Sequence, residues 1–152
     1  MKFGDVFPEN FRTTFFEQNL KRGAVFKIAS TQTTPPKLKR IVILGIHQGL
    51  AVVGYLFINS EINENVFPTP YLKSLHLPLT ATADRQYVEH DSFLDCSHIY
   101  EQNLHDLKDK IMTTMDSYLG QIAASDLSQI LHLVATARTI SPKLKKRYGI
   151  IS

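Results

Sequence analysis

Two apolar runs separated by one short turn constrain the fold of this chain more than any other feature. They cover residues 41–46 and 50–58, and residues 47–49 form the turn between them. Short, continuous apolar runs rich in β-branched residues are typical of buried strands, and strands joined this closely pair antiparallel. The sequence therefore predicts an antiparallel hairpin of buried strands. Gly54, inside the second strand, predicts a β-bulge or a tight bend.

Further segments have the composition or the alternation of strands. Residues 24–28 are β-branched and aromatic, and residues 75–79 alternate, with Pro78 placing that strand at a sheet edge. Residues 92–96 also alternate, so that side chains two apart share one face. One face is predicted to carry Ser92, Leu94 and Cys96, and the other Phe93, Asp95 and Ser97. A short strand or turn is predicted at 118–122.

Two helices are predicted in the last third of the chain. Residues 104–115 carry apolar side chains at helical spacing with polar residues between them, which is the pattern of an amphipathic helix lying on a sheet. The last helix is predicted to have Ser125 as its N-cap, to carry an apolar stripe over 127–137, and to end before Pro142. With strands in the majority, the predicted fold class is α+β, mainly β.

The two ends of the chain differ from residues 21–142, which are predicted to form one domain. Residues 1–20 are rich in phenylalanine, and the spacing of Phe7, Phe11 and Phe15 puts these rings on one face of a short helix. This N-terminal extension either covers the core of the domain or docks a partner, and both interpretations stay open. Residues 143–152 are predicted to be a basic, loosely ordered tail.

Membrane, disulfide and metal-binding classes are disfavoured. The apolar runs are shorter than the roughly 20 residues of a membrane span, and the N-terminus lacks the apolar core of a secretory signal. We therefore expect a cytoplasmic protein without a membrane partner. Cys96 is the only cysteine and has only His98 as a near neighbour, so neither a disulfide nor a zinc site is predicted. No cofactor is expected, and Cys96 is predicted to be a buried small residue.

Basic residues cluster at two places although the net charge is only +3. Lys37, Lys39 and Arg40 lie together before the first apolar run, and more cations lie within residues 143–147. Such clusters attract phosphate backbones, but basic loops are also common on proteins that bind no nucleic acid. Acidic, histidine and serine side chains concentrate in residues 89–98. Strand alternation divides these groups between two faces, so they cannot all meet one substrate.

The order of these segments resembles the MazF/PemK group of toxin endoribonucleases. The matching pieces, which lie within residues 21–140, are Lys21-Arg22-Gly23-Ala24-Val25-Phe26, Lys39-Arg40-Ile41-Val42-Ile43-Leu44, Ile58-Asn59-Ser60, Ser92-Phe93-Leu94-Asp95-Cys96-Ser97 and Leu119-Gly120-Gln121-Ile122. Three features depart from the family pattern. Ile41 stands where the family usually has proline, no arginine lies between residues 86 and 137, and the first twenty residues have no counterpart.

The resemblance implies a small SH3-like barrel of about five to six antiparallel strands, with a helix after the site strand and a C-terminal helix. It also implies metal-independent, sequence-specific cleavage of single-stranded RNA by a homodimer that a cognate antitoxin protein neutralises. Carried onto this chain, the catalytic residues are Arg40 for the phosphate charge, Ser60 as a hydrogen-bond donor, and Asp91, Asp95 and His98 as acid and base. The RNA-binding residues are Lys37, Lys39, Asn59 and Ser97.

Two other functions stay open. The same barrel without catalysis would bind nucleic acid or a protein partner, and a related gyrase-targeting toxin would share the barrel but attack a protein. The missing arginine in the site strand favours these two functions. The basic residues up to Arg40 and the strand end at Ser60 favour the endoribonuclease.

Overall fold

The computed structural model describes residues 18–30, 37–114 and 116–152. Within these ranges the strands are β1 (Ala24–Ser30), β2 (Lys37–His47), β3 (Val52–Asn59), β4 (His76–Leu79), β5 (Ser92–Asp95), β6 (Tyr100–Asn103) and β7 (Tyr118–Gln121). The helices are α1 (Pro70–Ser74), α2 (Leu104–Thr113), α3 (Ala124–Thr136) and α4 (Pro142–Arg147). The predicted N-terminal phenylalanine stripe lies outside the described residues.

The strands form one antiparallel sheet in the order β4-β5-β3-β2-β1-β7, and β6 pairs with the first half of β3. The sheet curls into half a barrel, which confirms the predicted α+β, mainly β class. The predicted hairpin is β2 with β3, and β4 with Pro78 is an edge strand as expected. The edge position tolerates proline because its missing N–H is not needed by a further strand.

Apolar side chains cover both faces of the sheet because β2 and β3 alternate through two cores. On one side, here the α3 face, Val42 and Leu56 pack with Ile130 and Val134 of α3. On the other side, here the α2 face, the core contains Ile41, Ile43 and Tyr55 with Leu107 and Ile111 of α2. A continuous apolar run, rather than an alternating one, is therefore what this central hairpin requires.

A bulge lies next to Gly54, but in the partner strand. The register shifts between Ile43 and Gly45 of β2, and Gly54 pairs directly with Gly45. Gly54 itself is needed because the ring of Tyr148 lies against it, and a Cβ at this position would be 2.6 Å from Tyr148 Cζ. The predicted irregularity is therefore real, but its position and its cause depend on packing.

The predicted loosely ordered tail is wrong, because its first half lies in a packed helix. The Ser141 side chain caps α4, and Tyr148 directly after it is buried. Lys145 is buried too, and its ammonium group donates to the carbonyl oxygens of Ala135 and Ala137 at 2.9 and 2.7 Å. A cation at the C-terminal end of α3 satisfies carbonyls that the helix leaves unpaired.

Other differences concern short elements. The predicted N-cap Ser125 is wrong, since α3 begins at Ala124 after Ala123, which makes no side-chain cap bond. Helix α1 has no counterpart among the predicted elements, and Thr69 caps it with Pro70 at the first position. Among the described helices, none is both long and apolar enough to cross a membrane.

Candidate functional site

The predicted site residues divide between the two faces of the sheet. Lys39 and Arg40 are consecutive in β2, so their side chains leave on opposite sides. The Lys39 ammonium lies 5.5 Å from the ring centroid of Phe57, which belongs to the core on the α2 face. Arg40 therefore belongs to the α3 face, like Val42 two residues further on. The structure does not bring all predicted catalytic residues together.

Arg40 is paired with a residue that the sequence comparison did not single out. Its Nη2 lies 3.1 Å from Oε1 of Glu89, and the two side chains are 26% and 80% exposed. Its Nε is buried and has no hydrogen-bond partner among the residues that the structure describes. An ion pair with one carboxylate in open solvent is weak, whereas a buried donor without a partner carries a cost of about 1–3 kcal/mol.

The loop between β4 and β5 holds Glu89 beside Arg40. Asp91 accepts a hydrogen bond from the Ala81 N–H at 2.8 Å, which closes the base of the loop. Arg85 donates to both carboxylate oxygens of Asp126 in α3, each at 3.0 Å. Val88, the neighbour of Glu89, is buried in the core of the α3 face. The predicted catalytic residue Asp91 thus fixes the loop that presents Glu89.

Ser60 follows the last residue of β3 and is exposed. It lies two positions after Ile58, which pairs with Arg40 across the hairpin. Lys27 of β1 is the partner of Arg40 on its other side, so a second cation lies in the same row. Arg40, Glu89, Ser60 and Lys27 define the area that we name the Arg40 site.

The second group of predicted residues lies on the α2 face. Lys39 Nζ donates to Asn59 Oδ1 at 2.5 Å, and burial, together with the charge of Lys37, lowers the pKa of Lys39. The Phe57 ring contacts Tyr100 at 4.4 Å between centroids. His98 is exposed, and its ring lies 4.4 Å from that of Tyr100. Lys39 and His98 thus lie at the two ends of an aromatic row.

Asp95 is a buried residue whose carboxylate holds the turn after β5. Its Oδ1 accepts hydrogen bonds from the Ser97 N–H at 2.9 Å and the Ser97 hydroxyl at 2.5 Å. It also lies 3.7 Å from Nε2 of His76, whose Nδ1 is 3.0 Å from the Leu72 carbonyl oxygen. Asp95 and Ser97 are therefore buried residues that hold the turn before His98, and they are not exposed to solvent. Burial, with the charge of Asp95, raises the pKa of Tyr100.

Cys96 confirms the prediction of a buried small residue. Its side chain is on the α3 face with Leu94, as the alternation of β5 predicted. Burial raises the pKa of its thiol far above the ordinary value, so the thiolate needed for nucleophilic attack is not formed near neutral pH. Within the described ranges, no three histidine, cysteine or acidic side chains lie close enough together to hold a metal ion.

Four residues in or beside these two groups could not be identified from the sequence. Glu89 lies in the polar segment 89–98, but nothing in the sequence pairs it with Arg40. Tyr100 and Phe57 are 43 positions apart and meet because β6 pairs with β3. His76 comes next to Asp95 through the β4–β5 pairing. Contacts between such distant residues follow from strand register, which local patterns do not contain.

Comparison of the chain with protein-family models gives no match, and comparison with curated proteins gives no significant match either. The resemblance to the MazF/PemK group therefore stays a prediction.

Proposed function

We propose that this protein is a metal-independent endoribonuclease of the MazF/PemK toxin kind, which cleaves single-stranded RNA at the Arg40 site. The observation that supports the proposal is the pairing of Arg40 with Glu89. A guanidinium and a carboxylate 3.1 Å apart, at the surface, are the cation and the base that such a reaction requires.

The reaction is a transesterification within the RNA, in which phosphorus exchanges its bond to the 5′-oxygen for a bond to the 2′-oxygen. The 2′-oxygen attacks the adjacent phosphorus and forms a 2′,3′-cyclic phosphate, while the bond from phosphorus to the 5′-oxygen breaks. Glu89 takes the proton of the 2′-hydroxyl, and Arg40 donates to the oxygens on which negative charge develops. Water protonates the leaving 5′-oxygen, and the hydroxide so formed takes the proton from Glu89, whose side chain is in open solvent.

The guanidinium of Arg40 favours an anionic ligand. Its Nε is buried without a partner among the described residues, so a ligand approaches the exposed part of the group, and Glu89 lies at Nη2 there. Planar guanidinium N–H groups bind phosphate oxygens in pairs, and a phosphate at the exposed Nη groups gains such hydrogen bonds. Lys27, in the same row, adds a second positive charge, and Ser60 adds a hydroxyl donor.

Two parts of the proposal rest on the resemblance alone. They are the homodimer and the cognate antitoxin that neutralises the toxin. The molar mass in solution, measured by light scattering at several concentrations, tests the first. Growth of a host that expresses the chain without any partner tests the second, because a toxin arrests growth.

Cleavage is tested by incubating the purified protein with a mixed single-stranded RNA in EDTA. We expect discrete fragments from the natural protein. Arg40→Ala should lower the rate about 100-fold or more, as loss of a preorganised charge-stabilising donor does. Glu89→Gln keeps the size of the side chain and removes the base, and should also lower the rate at least about 100-fold. Lys143→Ala, which removes one exposed charge from α4, is the matched control and should leave the rate unchanged.

Intact RNA with the natural protein would remove the enzyme proposal. Fluorescence anisotropy with the same RNA then separates the other functions. Binding without cleavage indicates an inactive nucleic-acid-binding barrel. Absence of both indicates a protein target, such as the gyrase attacked by the related toxins. Equal rates for Arg40→Ala and Lys143→Ala, with cleavage present, would place the reaction elsewhere on the protein.

A further inference from the structure

We infer that Lys39 and Asn59 form a separate site for a nucleobase, with guanine as the preferred base. The inference rests on the proposed function in one respect, namely that the ligand is RNA. It adds a site on the α2 face, opposite to the Arg40 site, and it assigns to that site the recognition of a base rather than of a phosphate.

The pair presents hydrogen-bond donors. An ammonium group cannot accept, so the bond between Lys39 Nζ and Asn59 Oδ1 fixes which way the amide points. The amide nitrogen Nδ2 is thereby turned away from Lys39, and it makes no hydrogen bond within the part of the chain that the structure describes. The two N–H groups of Nδ2 and the remaining N–H groups of Lys39 thus lie on either side of Oδ1, and both residues are partly exposed.

A ligand for this pair must therefore present adjacent acceptors. Guanine does so with O6 and N7, whereas adenine has an amino donor beside N7 and cytosine an amino donor beside N3. An aromatic side chain lies next to the donors, because the partly exposed Phe93 pairs with Asn59 across the strands. Phe57 is buried beneath Lys39 and is not itself open to a base. Aromatic side chains beside cations bind flat bases by stacking and cation–π contacts.

The position of the pair suits one RNA strand that also reaches Arg40. Lys39 and Arg40 are consecutive, and β2 begins only two residues earlier with the exposed Lys37 and Leu38. An RNA strand that passes the beginning of β2 meets Arg40 on the α3 face and Lys39 on the α2 face. Arg40 takes a phosphate, because its fork fits two oxygens. The donors of Lys39 and Asn59 then meet the base of a neighbouring nucleotide.

The experiment measures binding separately from cleavage. The probes are fluorescent seven-nucleotide oligoadenylates with one central guanine, one central 7-deazaguanine or no guanine, all 2′-O-methylated so that no 2′-hydroxyl can attack. Anisotropy in EDTA gives the affinity of each probe. For the natural protein we expect binding of the guanine probe about tenfold tighter than of the other two, which is the usual size of discrimination by a bidentate pair.

Asn59→Asp is the central variant, since aspartate keeps the shape and the acceptor for Lys39 but replaces the amide donors by an acceptor. It should bind the three probes equally, and Lys39→Met should weaken the guanine preference as well. Lys143→Ala serves as the control for loss of one positive charge and should retain the preference. Thermal melting of every variant confirms that the fold is kept.

The outcomes distinguish this inference from the proposed function. Guanine preference that disappears in Asn59→Asp supports the site, even if the natural protein cleaves no RNA. Cleavage of RNA by a protein that binds all three probes equally overturns the site and leaves the endoribonuclease standing. Guanine preference that survives in Asn59→Asp also overturns it, and so does absence of binding to any probe, whereas the endoribonuclease is decided by the cleavage assay alone.

Discussion

Replacing Gly54 with alanine tests whether the buried ring of Tyr148, directly after α4, can pack on the sheet only against a glycine. A Cβ at this position would lie 2.6, 2.7 and 2.9 Å from three ring atoms of Tyr148. The ring cannot move away freely, because Tyr148 is buried and its hydroxyl donates to Glu101 at 2.5 Å. Its carbonyl oxygen also accepts from the guanidinium of Arg22. The added methyl group must therefore displace one of these contacts.

The expected cost is the difference between two effects. Overpacking of a closely packed site costs about 1–3 kcal/mol. Replacing a glycine stabilises the folded state by about 0.4–1 kcal/mol, because alanine restricts the unfolded chain. At the middle of these ranges the net loss in the free energy of unfolding is about 1.3 kcal/mol, which lowers Tm by about 3–5 °C in a chain of this size.

Urea unfolding followed by circular dichroism measures this loss, and Gly45→Ala is the matched control. Gly45 is the strand partner of Gly54, and a Cβ there would meet Tyr148 Cδ1 at 3.4 Å, an ordinary contact distance. We expect Gly45→Ala to change the free energy of unfolding by less than about 0.5 kcal/mol. The two alanines thus add the same methyl group at paired positions and differ in their distance to one ring.

A double-mutant cycle with Tyr148→Leu decides whether the ring is the cause. Leucine lacks the ring atoms that the new methyl group would meet, so Gly54→Ala should cost little in that background. A coupling free energy of about 1 kcal/mol or more is expected. Additive losses, or a Gly54→Ala protein as stable as the natural one, would refute the reasoning.

Two further predictions concern charged groups of the same region. Lys145→Met should lower the free energy of unfolding by about 2 kcal/mol, because two carbonyls of the α3 end lose a charged donor; a urea-derived loss under about 0.5 kcal/mol would contradict this. Burial alone would raise the pKa of Glu101, but hydrogen bonds from Tyr148 and Arg147 and the charge of Arg147 outweigh it and lower this pKa. A lowered folded pKa gives stability that is present above the unfolded value of about 4.3 and is lost as pH falls through the folded value. Unfolding curves between about pH 3 and 6 should therefore show a steeper acid loss for the natural protein than for Glu101→Gln, and parallel losses would contradict the assignment.

The sequence was most informative where one element explains its own pattern. The continuous apolar runs of β2 and β3 are typical of strands buried on both faces, and the two strands do contribute to a core on each side of the sheet. The alternation of β5 correctly placed Leu94 and Cys96 inward on one face. Helix α2 was recognisable from its spacing, and it lies on the sheet as expected because Leu107 and Ile111 join the core there.

The errors occurred where a short segment takes its structure from distant partners. β6 has only the four residues Tyr100-Glu-Gln-Asn, and it is a strand because β3 has an open edge beside it. The tail is basic in composition, yet its ordered state depends on Lys145 meeting the end of α3 and on Arg147 meeting Glu101. The same local composition would stay unfolded without those partners, since α4 is too short to be stable alone.

The sequence by itself determined the fold class, the central hairpin and the kinds of side chain that the site contains. It could not determine which of them meet, because a strand fixes only that neighbours such as Lys39 and Arg40 point apart. The tertiary structure decided that Arg40 pairs with Glu89 and Lys39 with Asn59, on opposite faces. The physical reason is that side-chain direction follows from local alternation, whereas contact follows from the register of strands and loops that are far apart in the chain.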